Sequence, residues 1–370
     1  MKLLLVTEAS PWVRSISTVQ HYADAGRALG HDVAVYGEPN PELPNLPFTT
    51  DLDNVDLALF ILQVPGDLPD MPYLARLLDT IPRERRAVVD LWGRYNDTIR
   101  LDHDFNHLEK LEGHLGWEWE EAMSAISDTI LQPSQKPLRA DVGSFLFHAF
   151  DPGSVAKPYG SAKEAAAAWR DPAAKPYGVM YVGSNWQRWT GMRAFLEQYE
   201  PVRHEVGTAC LIGWDWWERP AWAAEKGIMG VDADSEFLLR LEAHVRNGVR
   251  FDEVVDLLGQ GRFTPVLHRP LFRHLGFPTV RTFETFHADT IPVLMLPRDF
   301  VQAVYGEAAL TLVPDGDAGR LMKDALANPE KYWEAVLETR AHLARHQSYA
   351  NRFEQLNTLI IPRGGARAAP

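Results

Sequence analysis

Two kinds of segment alternate along this sequence: short apolar runs that stop at turn residues, and stretches whose apolar residues recur with helical spacing. In the first half the apolar runs cover residues 2–7, 32–36, 57–64 and 87–91, with shorter ones at 129–132 and 144–147. Helical periodicity covers 18–29, which closes on Gly30, then 73–80 and 109–127. Strands that alternate with helices specify a parallel sheet with helices on both faces, an α/β fold.

From 151 to 176 the character changes. Pro152, Pro158, Pro172 and Pro176 surround an alanine-rich helical piece at 162–169, the pattern of an interdomain connection. The alternation then starts again. Strands are expected at 178–182, 207–213 and 263–267, and helices at 191–198 and 251–258. A helix opening at Arg281 runs into a strand that closes at Met295, with further segments at 299–305 and 309–313, the latter a strand, and a helical region from Asp317. A chain of 370 residues exceeds one ordinary core. The expected domains are 1–155 and 176–345, with 346–370 as a terminal helix and tail packing back on the first domain.

Bulk properties limit the partners. The net charge of −13 opposes long-range attraction to DNA or an anionic lipid surface, so nucleic acid is not an expected partner. The one cysteine, Cys210, lies in an apolar run and forms no intrachain disulfide, which favours a reducing compartment. The apolar start at 3–6 is too short for a signal sequence or a membrane span, so the cytoplasm is the expected location. Twelve tryptophans exceed ordinary usage, which suits carbohydrate or aromatic acceptors as well as a large core.

The chemistry concentrates in R-T-F-E-T-F-H-A-D-T-I-P-V-L-M, residues 281–295. Glu284 sits in a helix between Phe283 and Phe286, where a carboxylate needs a special partner. An ion pair with Arg281, three residues earlier, is one such partner. The stretch resembles the donor-site signature of GT-B glycosyltransferases, in which a glutamate holds the ribose hydroxyls of a sugar nucleotide. That resemblance implies two Rossmann-like domains facing across a cleft. The donor would lie on the second domain and the acceptor on the first, with no cofactor and no essential metal. The end of the chain, A-L-T-L-V-P-D-G-D-A-G-R-L and then H-Q-S-Y-A-N-R-F, resembles the spore-maturation-protein-like group of these enzymes. His346, Tyr349 and Arg352 match its closing motif and are expected to pack the terminal helix.

Under this resemblance Arg281, Thr282 and Glu284 contact the donor. Gly183, Ser184 and Asn185 form the turn beside its phosphates, with Arg188 near, and His268 and Arg269 end a strand facing the cleft. Backbone N–H groups at a strand-to-helix turn and planar guanidinium forks both suit a diphosphate. Two features depart from the pattern: Gly276 stands where many retaining members carry a second glutamate, and Asp289-Thr290 replaces small residues. The loop after the first strand also lacks glycine. Stereochemistry is therefore open.

The first domain should supply any general base. Asp90, His21 and Glu8 are the candidates, the first and last because they end or follow strands. Asp102, His103, Asp104 and His107 lie close together but match no metal-binding spacing, so no metal is assigned. No nucleophile elbow is present. A nucleotide-sugar epimerase and a non-catalytic sugar-nucleotide-binding protein on the same fold are the rival readings.

Overall fold

The computed structural model describes residues 1–12, 15–63, 65–95, 117–225 and 231–360. Among them, two separate parallel sheets form. The first contains β1 (Lys2–Val6), β2 (Asp32–Tyr36), β3 (Phe48–Thr49), β4 (Leu57–Leu62), β5 (Arg86–Asp90), β6 (Ile130–Gln132) and β7 (Gly143–Ser144), in the order β3-β2-β1-β4-β5-β6-β7. The second contains β8 (Tyr177–Val182), β9 (Ala209–Ile212), β10 (His244–Arg246), β11 (Gly261–Val266) and β12 (Ile291–Leu294), in the order β10-β9-β8-β11-β12. The strand order reverses between β1 and β4 in one sheet and between β8 and β11 in the other, where such sheets open a crevice for ligands.

The strand sequences explain the layers. All six residues of β4 are buried. Leu57, Leu59 and Ile61 join Leu3 and Leu5 in one core layer, and Ala58, Phe60 and Leu62 join Leu4 and Val6 in another. This period-two division, with both faces apolar, requires helices on each side. Each of the leucine, isoleucine, valine and phenylalanine side chains among them contributes about 1.5–3 kcal/mol by leaving water. Pro292 occupies the edge strand β12, where a missing N–H costs least.

Several elements differ from the sequence reading. The expected strand at 309–313 is a 3₁₀ segment, Glu307–Leu312, which buries Ala309 and Leu312. It packs on the Pro329–His346 helix instead of extending the sheet. Only Gly143–Ser144 pairs where a strand at 144–147 was expected. The helix carrying Glu284 is Val280–His287, about two turns, because Ala288 takes an extended backbone with ψ 154°. Of the helix expected at 109–127, Trp117–Ile126 is helical and 109–116 lie outside the described residues.

The two halves touch extensively. Leu271, Phe272, Leu275 and Phe277 pack in the same core cluster as Leu91 and Trp92. Ser134 donates to the carbonyl of Leu275 at 2.9 Å. The Tyr349–Asn357 helix sets Tyr349 and Phe353 against Tyr22, with ring centroids 5.1 and 5.8 Å away. Arg352 is buried and donates to Gln347 and to the carbonyl of His148, whereas His346 is exposed, with its ring 4.7 Å from that of His342. Among the described residues no helix is long and apolar enough to cross a membrane.

Candidate active site

The carboxyl ends of both sheets face one cavity of about 220 Å³. From the first sheet it receives Pro11, Trp12, Ser15 and Ser17 after β1, Gln63 after β4, and Leu91 and Trp92 after β5. From the second it receives Gly183, Ser184, Trp186 and Arg188 after β8, Gly213 and Trp214 after β9, Gly248 after β10 and Arg269 after β11. The Val280–His287 helix adds Arg281 and Glu284.

The turns that carry these groups are fixed by their sequence. Gly213 has φ 152°, and a Cβ there would lie 2.2 Å from the carbonyl oxygen of Gly183, so the turns after β8 and β9 rest directly on each other. Asn185 braces them: its side-chain amide donates to the carbonyls of Asp215 and Asp232 at 2.7 and 2.8 Å. Gly276, which occupies the place of a second glutamate, has φ 64° and ends the Pro270–Leu275 helix. Asp289 holds the far end of the signature helix. It accepts from the fully buried Lys175 at 2.8 Å, from Lys157 at 3.0 Å and from Tyr159 at 3.0 Å.

Glu284 is 6 % exposed, and both of its oxygens are engaged. Arg281 lies 2.6 Å from Oε2, and Ser17 donates to Oε1 at 3.0 Å. The second contact crosses between the halves, from the start of the Ile16–Ala28 helix to the signature helix. The ion pair foreseen from the sequence is present, and it leaves the carboxylate at the meeting point of both domains.

Of the twelve residues singled out by sequence, Gly183, Ser184, Arg188, Arg269, Arg281 and Glu284 line the cavity together. Thr282 does not: it is fully buried, and its hydroxyl accepts the Thr279 N–H at 2.9 Å at the helix start. Asn185 lies buried behind the turn. His268 sits behind the wall against Phe300, with both ring nitrogens unpartnered. Burial, and then Arg188, Arg273 and Arg269, push it down to about 3.

The three candidate bases lie outside the wall. Asp90 is completely buried, and its oxygens accept from the N–H groups of Trp92 and Tyr95 and from Gln132. Burial raises its pKa against those hydrogen bonds. It thus holds the turn that presents Leu91 and Trp92. Glu8 is exposed and apart from the cavity wall. His21 lies between the halves, 3.6 Å from Asp151 and with its ring 5.9 Å from that of His287. Burial lowers its pKa against Asp151 and Glu284. Asp102, His103, Asp104 and His107 lie outside the described residues.

Sequence reasoning missed Ser17, His148, Trp12 and Trp214. Trp12 follows the first strand, a position that signals a ligand loop in such sheets. Nothing local marks Ser17 or His148. His148 lines the cavity, its Nδ1 lies 2.8 Å from the Thr18 hydroxyl, and burial holds its pKa near 3.

No protein-family model matches the chain, and no curated protein sequence matches it. Solved structures do. An α-glucosyltransferase bound to UDP and a 13-mer DNA is 14 % identical, with TM-score 0.56 over 97 % of this chain and 99 % of that one. The β-glucosyltransferase of phage T4 with UDP and Mn²⁺ is 9 % identical, with TM-score 0.54 over 98 % of this chain and 100 % of that one. The same phage enzyme with UDP-glucose is 10 % identical at TM-score 0.54, over 98 % and 100 %. These structures give no support to the expectation that nucleic acid is not a partner, because the first of them holds DNA. At such identities the likeness establishes the fold alone, and that fold is GT-B: two Rossmann-like parallel sheets facing across a cleft.

Proposed function

We propose that this protein is a glycosyltransferase whose cavity binds a nucleoside-diphosphate sugar. One observation carries the reading. In a protein of net charge −13, three guanidinium groups, Arg188, Arg269 and Arg281, line a single cavity with one carboxylate, Glu284, at the carboxyl ends of both sheets. An acidic protein that gathers cations in one crevice builds an anion site there. Guanidinium forks match a diphosphate and stabilise it as it departs. Glu284 can accept two ribose hydroxyls in place of Ser17 and part of its Arg281 contact.

In the transfer, the bond from the anomeric carbon to the diphosphate oxygen breaks and a bond to an acceptor oxygen forms. The acceptor proton goes to a base. His148 is the neutral imidazole on the wall, and a bound diphosphate raises its basicity. We assign it the base role ahead of Asp90, which is sealed and fully hydrogen-bonded. His148→Gln should lower kcat by about 10²–10⁴-fold with nucleotide affinity retained. Among the described residues, Glu284 is the single carboxylate in the cavity wall and no cluster of three or more metal-binding side chains forms to hold a divalent ion. No step is derived through one.

A panel of UDP, GDP, dTDP, ADP and CMP in a thermal-shift assay tests the donor site. A ligand at 100 times its Kd stabilises by about 2.7 kcal/mol. A shift with one nucleotide that disappears in Glu284→Ala supports the reading; no shift with any nucleotide sinks it. Transfer to DNA is a second reading. The DNA-bound α-glucosyltransferase on this fold favours it, and radiolabel transfer to a duplex containing an HMU base tests it.

A further inference from the structure

The donor reading accounts for the polar part of the cavity and leaves its other end unexplained. The cations belong to the turns after β8 and β11 and to the signature helix. The wall from the turns after β9 and β10 is Trp214, Gly248 and Val249, faced by Pro11 and Trp12 from the first domain. Trp12 is 52 % exposed and Trp214 47 %, with ring centroids 6.2 Å apart and planes tilted by 60°. The two halves therefore meet at this rim through two half-open indoles. Gly248 makes room for one of them, since a Cβ there would come 2.6 Å from the Trp214 ring. Trp217, in the same loop, is 43 % exposed. Two half-open indoles in contact at one rim form a patch of the kind that marks a ligand or partner.

The charge at this rim narrows the ligand. Among the described residues of these turns there are three arginines: Arg219 is paired with Asp232 at 3.3 Å, Arg250 with Asp252 at 3.3 Å, and Arg246 is the third. That is a poor track for a phosphate backbone, which needs several cations in series. Asp215, beside Trp214, is partly exposed and offers hydroxyl groups an acceptor.

We propose that Trp12 and Trp214 form the acceptor subsite and that the acceptor is a neutral saccharide, its ring stacked on the indoles. The C–H groups on one face of a pyranose carry partial positive charge and meet the negative face of the indole, while its hydroxyls stay wet or reach a carboxylate. The assignment rests on the polar end being the donor site.

The test is an intrinsic-fluorescence titration of the full chain, with and without saturating UDP, using maltose, cellobiose, lactose, diacetylchitobiose and a short DNA duplex. At least one disaccharide should shift the emission. Trp12→Ala and Trp214→Ala should each weaken it by about tenfold, Trp214→Phe by less, and none should change UDP affinity. Four outcomes overturn the proposal: no disaccharide binds, binding is equal in the alanine variants, UDP affinity falls with the indoles, or the duplex binds in a Trp214-dependent way. UDP binding to the wild type separates the two readings. If UDP binds and no saccharide does, the subsite alone fails; if UDP does not bind, the donor site fails.

Discussion

At the scale of single residues, one carboxylate has two duties. Glu284 joins Ser17 of the first domain and Arg281 of its own helix, and the donor reading asks it to accept ribose as well. Glu284→Ala should therefore weaken nucleotide binding by about 1.5–3 kcal/mol for each charge-assisted hydrogen bond lost, measured by calorimetry. Glu284→Gln keeps an acceptor for Ser17 and should lose less. Unchanged affinity in a folded alanine variant would remove Glu284 from the site. Asp90 makes the opposite case. Its hydrogen bonds to Trp92, Tyr95 and Gln132 fix a turn, so Asp90→Asn should lower stability by about 1–3 kcal/mol and leave kcat far above the 10²–10⁴-fold loss of a missing base. A full-sized kcat loss with unchanged melting would restore it as the base. Arg281 and Glu284 were legible because a charged pair amid phenylalanines is unusual. The burial of Asp90 was not legible, because a sequence shows where a strand ends and not whether its last side chain is sealed.

At the scale of elements, legibility followed burial. The strands with continuous apolar runs, such as β1, β4 and β8, were readable because both faces are covered. β10 was not: His244–Arg246 holds one apolar residue, lies at the sheet edge and keeps His244 and Arg246 exposed. Residues 309–313 are as apolar as a strand, but a helix and not a sheet edge covers them. The signature helix shows how an element is held for function. Asp289, at odds with the family pattern, accepts from Lys175, Lys157 and Tyr159, and Lys175 also reaches the carbonyls of Gly259 and Asp289. Asp289→Ala leaves the ammonium of Lys175 buried without its counter-ion, which costs about 3–5 kcal/mol. The urea midpoint should fall with little change in slope, and nucleotide affinity should fall too, because Arg281 and Glu284 ride on the same helix. Replacing both partners, Lys175→Met with Asp289→Leu, should recover much of the stability. No recovery would mean that Asp289 acts through Lys157 or Tyr159.

At the scale of the whole molecule, the interface between the halves and the core behind the cavity are built with neutral imidazoles. His148, His268 and His287 are each held near 3 by burial. His287 accepts the Asp151 N–H at 3.1 Å from the interdomain connection, and His148 faces the first helix through Thr18. In the unfolded chain all three titrate near about 6.5. Between that value and 3 the unfolded chain binds protons that the native state refuses. The stability is therefore complete above about pH 6.5 and is lost as the pH falls toward 3. Each group contributes a slope of about 1.4 kcal/mol per pH unit, so three give about 4 kcal/mol per unit well below their unfolded value. Against a total stability of about 5–15 kcal/mol, a cooperative acid transition should occur within a few units below 6.5. Circular dichroism against pH should show it as the uptake of at least three protons, to which His21, also lowered by burial, adds. His268→Phe, which removes a histidine with no hydrogen bond to lose, should reduce that number by one and move the midpoint to lower pH. A transition with the same proton count in this variant would place the acid sensitivity in the carboxylates instead.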